Sequence, residues 1–342
     1  MKKITKTIAV MCAATTLALG SIPASAAACT VPEQQIGTTY LSMNIVKGSE
    51  LTKYGKWGNY QGITSDDSYL YQAVDVNIGN NQKRLQIMRL SNRGGTGEYM
   101  KYNGDCSLPS DIQHGNGMTL STYMGHEYLY IVKSTSQKYK SDGGIVRFEI
   151  DGNTLKNRVD FDITTRVTKN GKKQTTKIKP TGIAYYSYRG TSAGFYIKVG
   201  RKIYDVSLPY DTTKSQPQKR DATYVMTLSD IVGNKENANV QGIAYDKNRN
   251  LLFEFNQYNG ASAPGDTYID AYNMSSKTQE YRKVFSRERN GYKWTEVQGM
   301  TYTNNKWYFA YDSEKNNGEQ HFCITTQGHS KSNVAYDSIQ YK

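Results

Sequence analysis

The sequence predicts an all-β fold, a five-bladed β-propeller of four-stranded antiparallel blades, and three observations lead there. Tyrosine supplies 29 of the 342 residues, and aromatic rings suit a pleated, half-buried strand surface. A short phrase containing a glycine recurs five times at similar intervals. Each copy is followed by short apolar and alternating runs of strand length. A hydrophobic content of 37% with 30 glycines and 7 prolines excludes disordered and collagen-like chains.

The chain opens on a processing signal at 1–26. Lys2, Lys3 and Lys6 form a basic start, Ile8 to Leu19 an apolar run, and Ala24-Ser25-Ala26 a small-residue cleavage site. The run is too short to anchor in a bilayer core of about 30 Å. Ala26 stands where a lipoprotein signal would carry a Leu-like residue three before Cys29. Residues 27–342 are therefore expected as one secreted, extracellular domain with no transmembrane anchor.

Cys12 leaves with the signal, so Cys29, Cys106 and Cys323 remain, an odd number in an oxidising setting where pairing is expected. The segment Thr38 to Met43 is similar to Ala222 to Thr227, so it is expected to add a strand to the last blade and fasten the ring. That placement favours a Cys29–Cys323 disulfide over Cys29–Cys106.

The repeated phrases are Tyr60-Gln61-Gly62-Ile63, Asn116-Gly117-Met118-Thr119, Thr181-Gly182-Ile183-Ala184, Val240-Gln241-Gly242-Ile243 and Val297-Gln298-Gly299-Met300. Their glycines lie 55, 65, 60 and 57 residues apart, a steady period of the kind that marks repeat architectures. After each glycine comes a short strand, a turn and an aromatic strand, as in Ile243-Ala244-Tyr245 followed by Leu251 to Phe255. Each pair reads as a hairpin. Third strands are expected at 84–90, 145–150, 202–208, 267–272 and 320–325, and fourth strands at 98–102, 158–163, 223–228, 280–285 and 334–341. Radial repetition of such sheets leaves only short edges. Two β-sandwiches would not place one glycine phrase at five similar intervals.

Residues just before each first strand should rise at one mouth of the central channel. Alternation with period two points the pairs Asn59 and Gln61, His114 and Asn116, Lys179 and Thr181, Asn239 and Gln241, and Glu296 and Gln298 to that mouth, with Gln61, His114, Asn116, Thr181, Gln241, Glu296 and Gln298 as the candidate ligand-binding residues. Amides offer donor and acceptor together, as sugar hydroxyls require. The same side chains could instead satisfy strand-start backbone groups and hold water. A glycosidase needs two carboxylates flanking the bond, whereas Glu296 stands nearly alone in the ring. Asp66, Asp246 and Asp312 fall where turn chemistry accounts for them. The four histidines show no zinc spacing, and no Gly-x-Ser-x-Gly elbow occurs. No catalytic residue, metal or cofactor is assigned, and a non-enzymatic role is favoured. A formal charge of +13 and a basic stretch carrying Lys169, Lys172, Lys173 and Lys177 suit an anionic surface polymer such as teichoic acid or a glycan. No nucleic-acid module is recognisable, and a monomer is expected.

The phrases His114-Gly115-Asn116-Gly117-Met118-Thr119 and Val240 to Asp246, with signal-led export, resemble the helveticin-J-like bacteriocins over roughly residues 60 to 320. The resemblance implies a large, heat-sensitive secreted protein that binds related Gram-positive bacteria and kills them, with no catalytic residues to carry over. The alternative is an extracellular glycan-binding or glycan-active propeller, lectin or hydrolase, without antibacterial action.

Overall fold

The computed structural model describes residues 33–35, 39–40, 43–44 and 60–328, apart from 78–82, 92–94, 97, 137–140, 213–215, 229–237, 261–262, 286–291, 304–305 and 316–319. The described residues are all-β, with no helix. The regular strands fall into five successive units that follow the glycine phrases. Unit one contains Tyr60–Ser65, Tyr69–Asn77, Lys83–Ser91 and Glu98–Tyr99. Unit two contains His114–Tyr123, His126–Lys133, Ile145–Asp151 and Thr154–Lys169. Unit three contains Gly182–Arg189, Ser192–Val199, Lys202–Pro209 and Gln218–Thr227. Unit four contains Ala238–Asp246, Leu251–Gly260, Ala263–Asn273 and Thr278–Phe285. Unit five contains Tyr292–Thr303, Lys306–Lys315 and Gln320–Gly328. Within each unit successive strands pair antiparallel.

The first strands stand side by side. That of unit one packs against those of units two and five, and units two, three, four and five follow in order. Five apolar cores lie between neighbouring units, each fed from both sides. Tyr71 and Leu85 meet Met118 and Leu129, Tyr130 and Phe161 meet Ile183 and Phe195, and Ile203 and Met226 meet Leu252 and Tyr272. Phe253 and Phe255 meet Val297 and Trp307, and Leu70 and Val74 meet Tyr308 and Ala310. Burying such side chains contributes about 1.5–3 kcal/mol each.

The phrase glycines stand where the first strands approach one another. A Cβ on Gly117 would lie 2.8 Å from the Cα of Gly182, one on Gly182 would lie 3.2 Å from the Ile243 nitrogen, and one on Gly299 would lie 2.6 Å from the Ile63 nitrogen. The neighbour in each case is backbone or immediately adjoins it, so it has little room to give.

Three features depart from the sequence reading. The fourth strand of unit two runs for 16 residues and outreaches its antiparallel partner. Its free edge takes the start of unit three's fourth strand in parallel, Phe161 opposite Gln218 through Thr164 opposite Asp221. Units two and three thus share one ten-stranded sheet rather than forming separate four-stranded ones. Secondly, the fourth strand expected at 98–102 is split. Glu98–Tyr99 stays on unit one, while Lys101–Tyr102 pairs in parallel with Thr154 and Leu155 of unit two. Thirdly, Glu33–Gln35 adds in parallel to the outer strand of unit four. The expected N-terminal strand is present: Thr39 and Tyr40 pair antiparallel with Thr326 and Thr325 of unit five. The strand expected at 334–341 lies outside the described residues, as does Cys29 and hence its pairing with Cys323. Cys106 is a buried free thiol.

The close approach of the glycines gives a direct test. Gly299→Ala should destabilise the protein by about 1–3 kcal/mol, as overpacking does, read as a lower thermal midpoint. An unchanged midpoint with altered ligand binding would instead make the position part of a site.

Candidate functional site

The strand-start end of the fold carries a pocket of about 200 Å³ between units two and three. Three segments wall it. The approach to unit two's first strand supplies Gln113, His114, Gly115 and Gly117, the end of its second strand supplies Val132 with Ser134 and Thr135 beyond it, and the approach to unit three supplies Lys179, Pro180 and Thr181.

The turn at His114 is built from backbone that few residues tolerate. His114 has φ 62° and Gly115 φ 58°, both left-handed, and the Gly115 amide donates to the Gln113 carbonyl at 2.8 Å. Gln113 is buried and its amide nitrogen donates to the Ser110 carbonyl at 2.7 Å. Ser134 Oγ in turn donates to the Gln113 carbonyl at 3.1 Å. A non-glycine residue held at positive φ costs of order 1–3 kcal/mol and persists where its surroundings enforce it.

His114 is the half-exposed member of a dyad. Its Nδ1 lies 3.0 Å from Oδ2 of Asp75, whose side chain is 0% exposed. Neither Asp75 oxygen has a hydrogen-bond partner among the described residues, so the contact with His114 is one of charge proximity rather than an aligned hydrogen bond. Lys83 approaches the same carboxylate at 3.9 Å. Sequence reasoning missed Asp75. The available signal was a lone acid in the apolar strand Leu70-Tyr71-Gln72-Ala73-Val74-Asp75-Val76.

Among the described side chains, only His114, Lys179 and Thr181 of the expected mouth residues meet in this pocket. Thr181 is tied to unit three through its amide, which donates to the Lys198 carbonyl at 2.8 Å. Gln61 and Gln298 are buried, each 4% exposed, and do not line the pocket. Strict alternation fails because the register shifts between Tyr60 and Ile63 and between Val297 and Gly299; a bulge turns the following side chains to the other face. The side chains of Asn116, Gln241 and Glu296 lie outside the described residues. Farther along the channel a cavity of about 140 Å³ is lined by Ile63, Met118, Ile183, Ile243 and Met300, one from each first strand, among others.

The expected basic stretch forms a hairpin. Thr154–Lys169 pairs with Lys172–Lys177 around Asn170 and Gly171, at φ 51° and 72°, the two left-handed residues an Asn-Gly turn requires. Lys169 faces Lys172 directly, an unfavourable like-charge pair, and Lys169, Lys172 and Lys173 are exposed. Lys177 differs: it is committed to Asp142 at 2.5 Å and Asp162 at 2.8 Å. The returning strand ends two residues before Lys179.

Behind the pocket a charge network binds unit two. Lys133, which pairs opposite His114, reaches Asp160 at 2.6 Å, and Arg158 joins Asp160 to Asp111. Burial alone would raise the Asp160 carboxyl, but Arg158 and Lys133 outweigh it and hold the group below the usual aspartate range. Among the described residues no three His, Cys, Asp or Glu side chains gather as metal ligands, and no helix is long and apolar enough to cross a membrane.

No protein-family model matches the chain, and no curated protein matches it. Solved structures do. The chain is similar to the Bacteroides ovatus xyloglucan PUL GH43B (10% identity, TM-score 0.46, covering 80% of this chain and 52% of that one). It is also similar to an exo-β-1,3-galactanase from Phanerochaete chrysosporium (11%, TM-score 0.48, 86% and 64%) and to a mannose phosphorylase from Leishmania mexicana (10%, TM-score 0.42, 86% and 88%). The chain spans between half and two thirds of the first two. These proteins are described as carbohydrate-acting, and none as a bacteriocin. The expectation of an antibacterial, cytolytic bacteriocin is corrected accordingly, and its glycan-directed alternative is carried forward.

The Asp160 network sets an acid limit. A carboxylate whose folded pKa is depressed contributes stability above its unfolded value, about 3.9, and loses it as pH falls through the lower folded value. Asp160→Asn should therefore be less stable than the parent at pH 7 by denaturant titration, with the gap closing in acid. A gap of constant size down to pH 2 would show that the charge contributes nothing.

Proposed function

We propose that the chain is an exported, five-bladed β-propeller, a single domain over 27–342, that binds an anionic glycan at the strand-start mouth between units two and three. The blade count draws support from five glycine phrases, five inter-unit cores and the contact of unit five with unit one. The observation that carries the functional reading is the pocket itself. It gathers His114, Lys179, Thr135 and Thr181 in the lining of one small concave space. Such a set provides donors, acceptors and a cation, and among the described residues its lining holds no carboxylate that would repel an acidic sugar.

The adjoining hairpin supports the same ligand class. It keeps three exposed lysines in spite of like-charge pairing across its strands, which raises the local concentration of a polyanion without a tailored contact. Charge attracts the polymer, and the pocket then takes one unit of it.

Binding to immobilised polygalacturonate tests the reading, with dextran as the neutral control. Affinity should fall steeply from low to high salt, because exposed charges are screened within about 10 Å at 0.1 M. Lys172→Glu with Lys173→Glu should weaken binding at low salt, and Lys179→Gln should weaken it at both salt levels, with thermal midpoints unchanged. Equal retention on dextran and polygalacturonate would overturn the proposal.

A further inference from the structure

We infer that the His114–Asp75 dyad is a base for β-elimination, which makes the protein a lyase of uronate-containing polysaccharides; the inference rests on the glycan reading above. Its starting point is what the pocket contains and lacks. Among the described residues no carboxylate lines it, so these residues do not supply the acid and base pair that glycoside hydrolysis requires. Ser134 already donates to the Gln113 carbonyl and is therefore a poor nucleophile for acyl transfer. One group is built to take a proton: the imidazole whose Nδ1 lies 3.0 Å from a fully buried carboxylate.

A glycan reaction that needs one base and one cation is elimination from a uronate. The C5 hydrogen of the sugar becomes acidic once the charge of its carboxylate is neutralised, and Lys179, which lines the same pocket, is the cation assigned to that role. His114 Nε2 takes the C5 proton. The electron pair released forms the C4=C5 double bond as the C4–O4 bond breaks. The departing oxygen receives the proton from the imidazolium, which restores the base. No water, metal or redox partner enters the balance. Asp75 is a positioning residue: its buried charge lies 3.0 Å from the ring and stabilises the transient imidazolium, as an opposite charge nearby favours the charged form.

Two further features fit this role. His114 is held at φ 62°, backbone strain of the kind that gathers at functional sites. The ring is also about half-exposed, with side-chain exposure of 53%, so a polymer chain reaches it from solvent.

The experiment incubates the full mature chain with polygalacturonate, alginate and hyaluronate and follows the ultraviolet absorbance of the unsaturated uronate end together with reducing ends. Elimination yields both in equal number. His114→Asn, which tolerates the left-handed backbone, should lose about 10²- to 10⁴-fold in rate at saturating polymer, where any loss of affinity no longer counts, the usual contribution of a general base. Asp75→Asn should shift the pH profile of kcat, which loss of a merely structural contact would not do. Reducing ends without the absorbing product would overturn elimination in favour of hydrolysis. Binding without cleavage of any of the three polymers would overturn the lyase and leave the binding proposal standing. Loss of both would remove the glycan reading itself.

Discussion

The constraint on which the rest of the structure depends is the approach of backbone to backbone at the hub. First strands from successive units come close enough that a single Cβ at Gly117 or Gly299 would sit under 3 Å from the next unit. Only glycine permits that spacing. The spacing in turn brings the second and third strands of neighbouring units into register for burial, so that aromatic residues such as Tyr130, Phe195, Phe253 and Trp307 fill the wedges between sheets. A bulkier hub would splay those wedges, and close packing tolerates little void.

Polar groups inside the wedges follow a different logic. Lys198 of unit three is fully buried and pairs with Glu254 of unit four. Burial pushes the lysine below its ordinary range in spite of Glu254 and the nearby Asp270. Replacing such a pair with apolar residues is often neutral or stabilising, whereas removing one partner strands a charge. The pair therefore specifies which units are neighbours more than it strengthens their contact. Hydroxyl contacts have a related role elsewhere in the ring. Ser65 Oγ and Thr301 Oγ1 meet at 2.8 Å between units one and five, and the Tyr185 amide donates to Thr119 Oγ1 at 3.1 Å between units three and two.

Much of this was legible in the sequence because it depends on local rules. The glycine phrases, the hairpins after them, the third strands and the closing strand at Thr39–Tyr40 all follow from short-range patterns. The candidate site was harder to read. Period-two alternation assigned Gln61 and Gln298 to the channel mouth, but bulges lie at those strand starts, and a bulge leaves no mark in a sequence that already contains glycine. Asp75 escaped because its partner is 39 positions away and the run around it reads as plain core. The parallel pairing of units two and three depends on one strand outlasting its neighbour, a length difference invisible until both strands are placed.

That pairing explains why the pocket lies where it does. Units two and three are joined at the hub by Gly117 against Gly182 and at the periphery by the parallel ladder from Phe161 to Thr164. The core between them is filled by Tyr130, Phe161 and Phe195. A wedge fastened at both ends and packed between holds its two walls together, and His114 from one wall and Lys179 from the other line the same pocket. Precise placement of this kind accounts for much of what an active site contributes to rate. The strained turn at His114 is sustained locally, by the Gly115 amide and Ser134 Oγ, both of which donate to the Gln113 carbonyl.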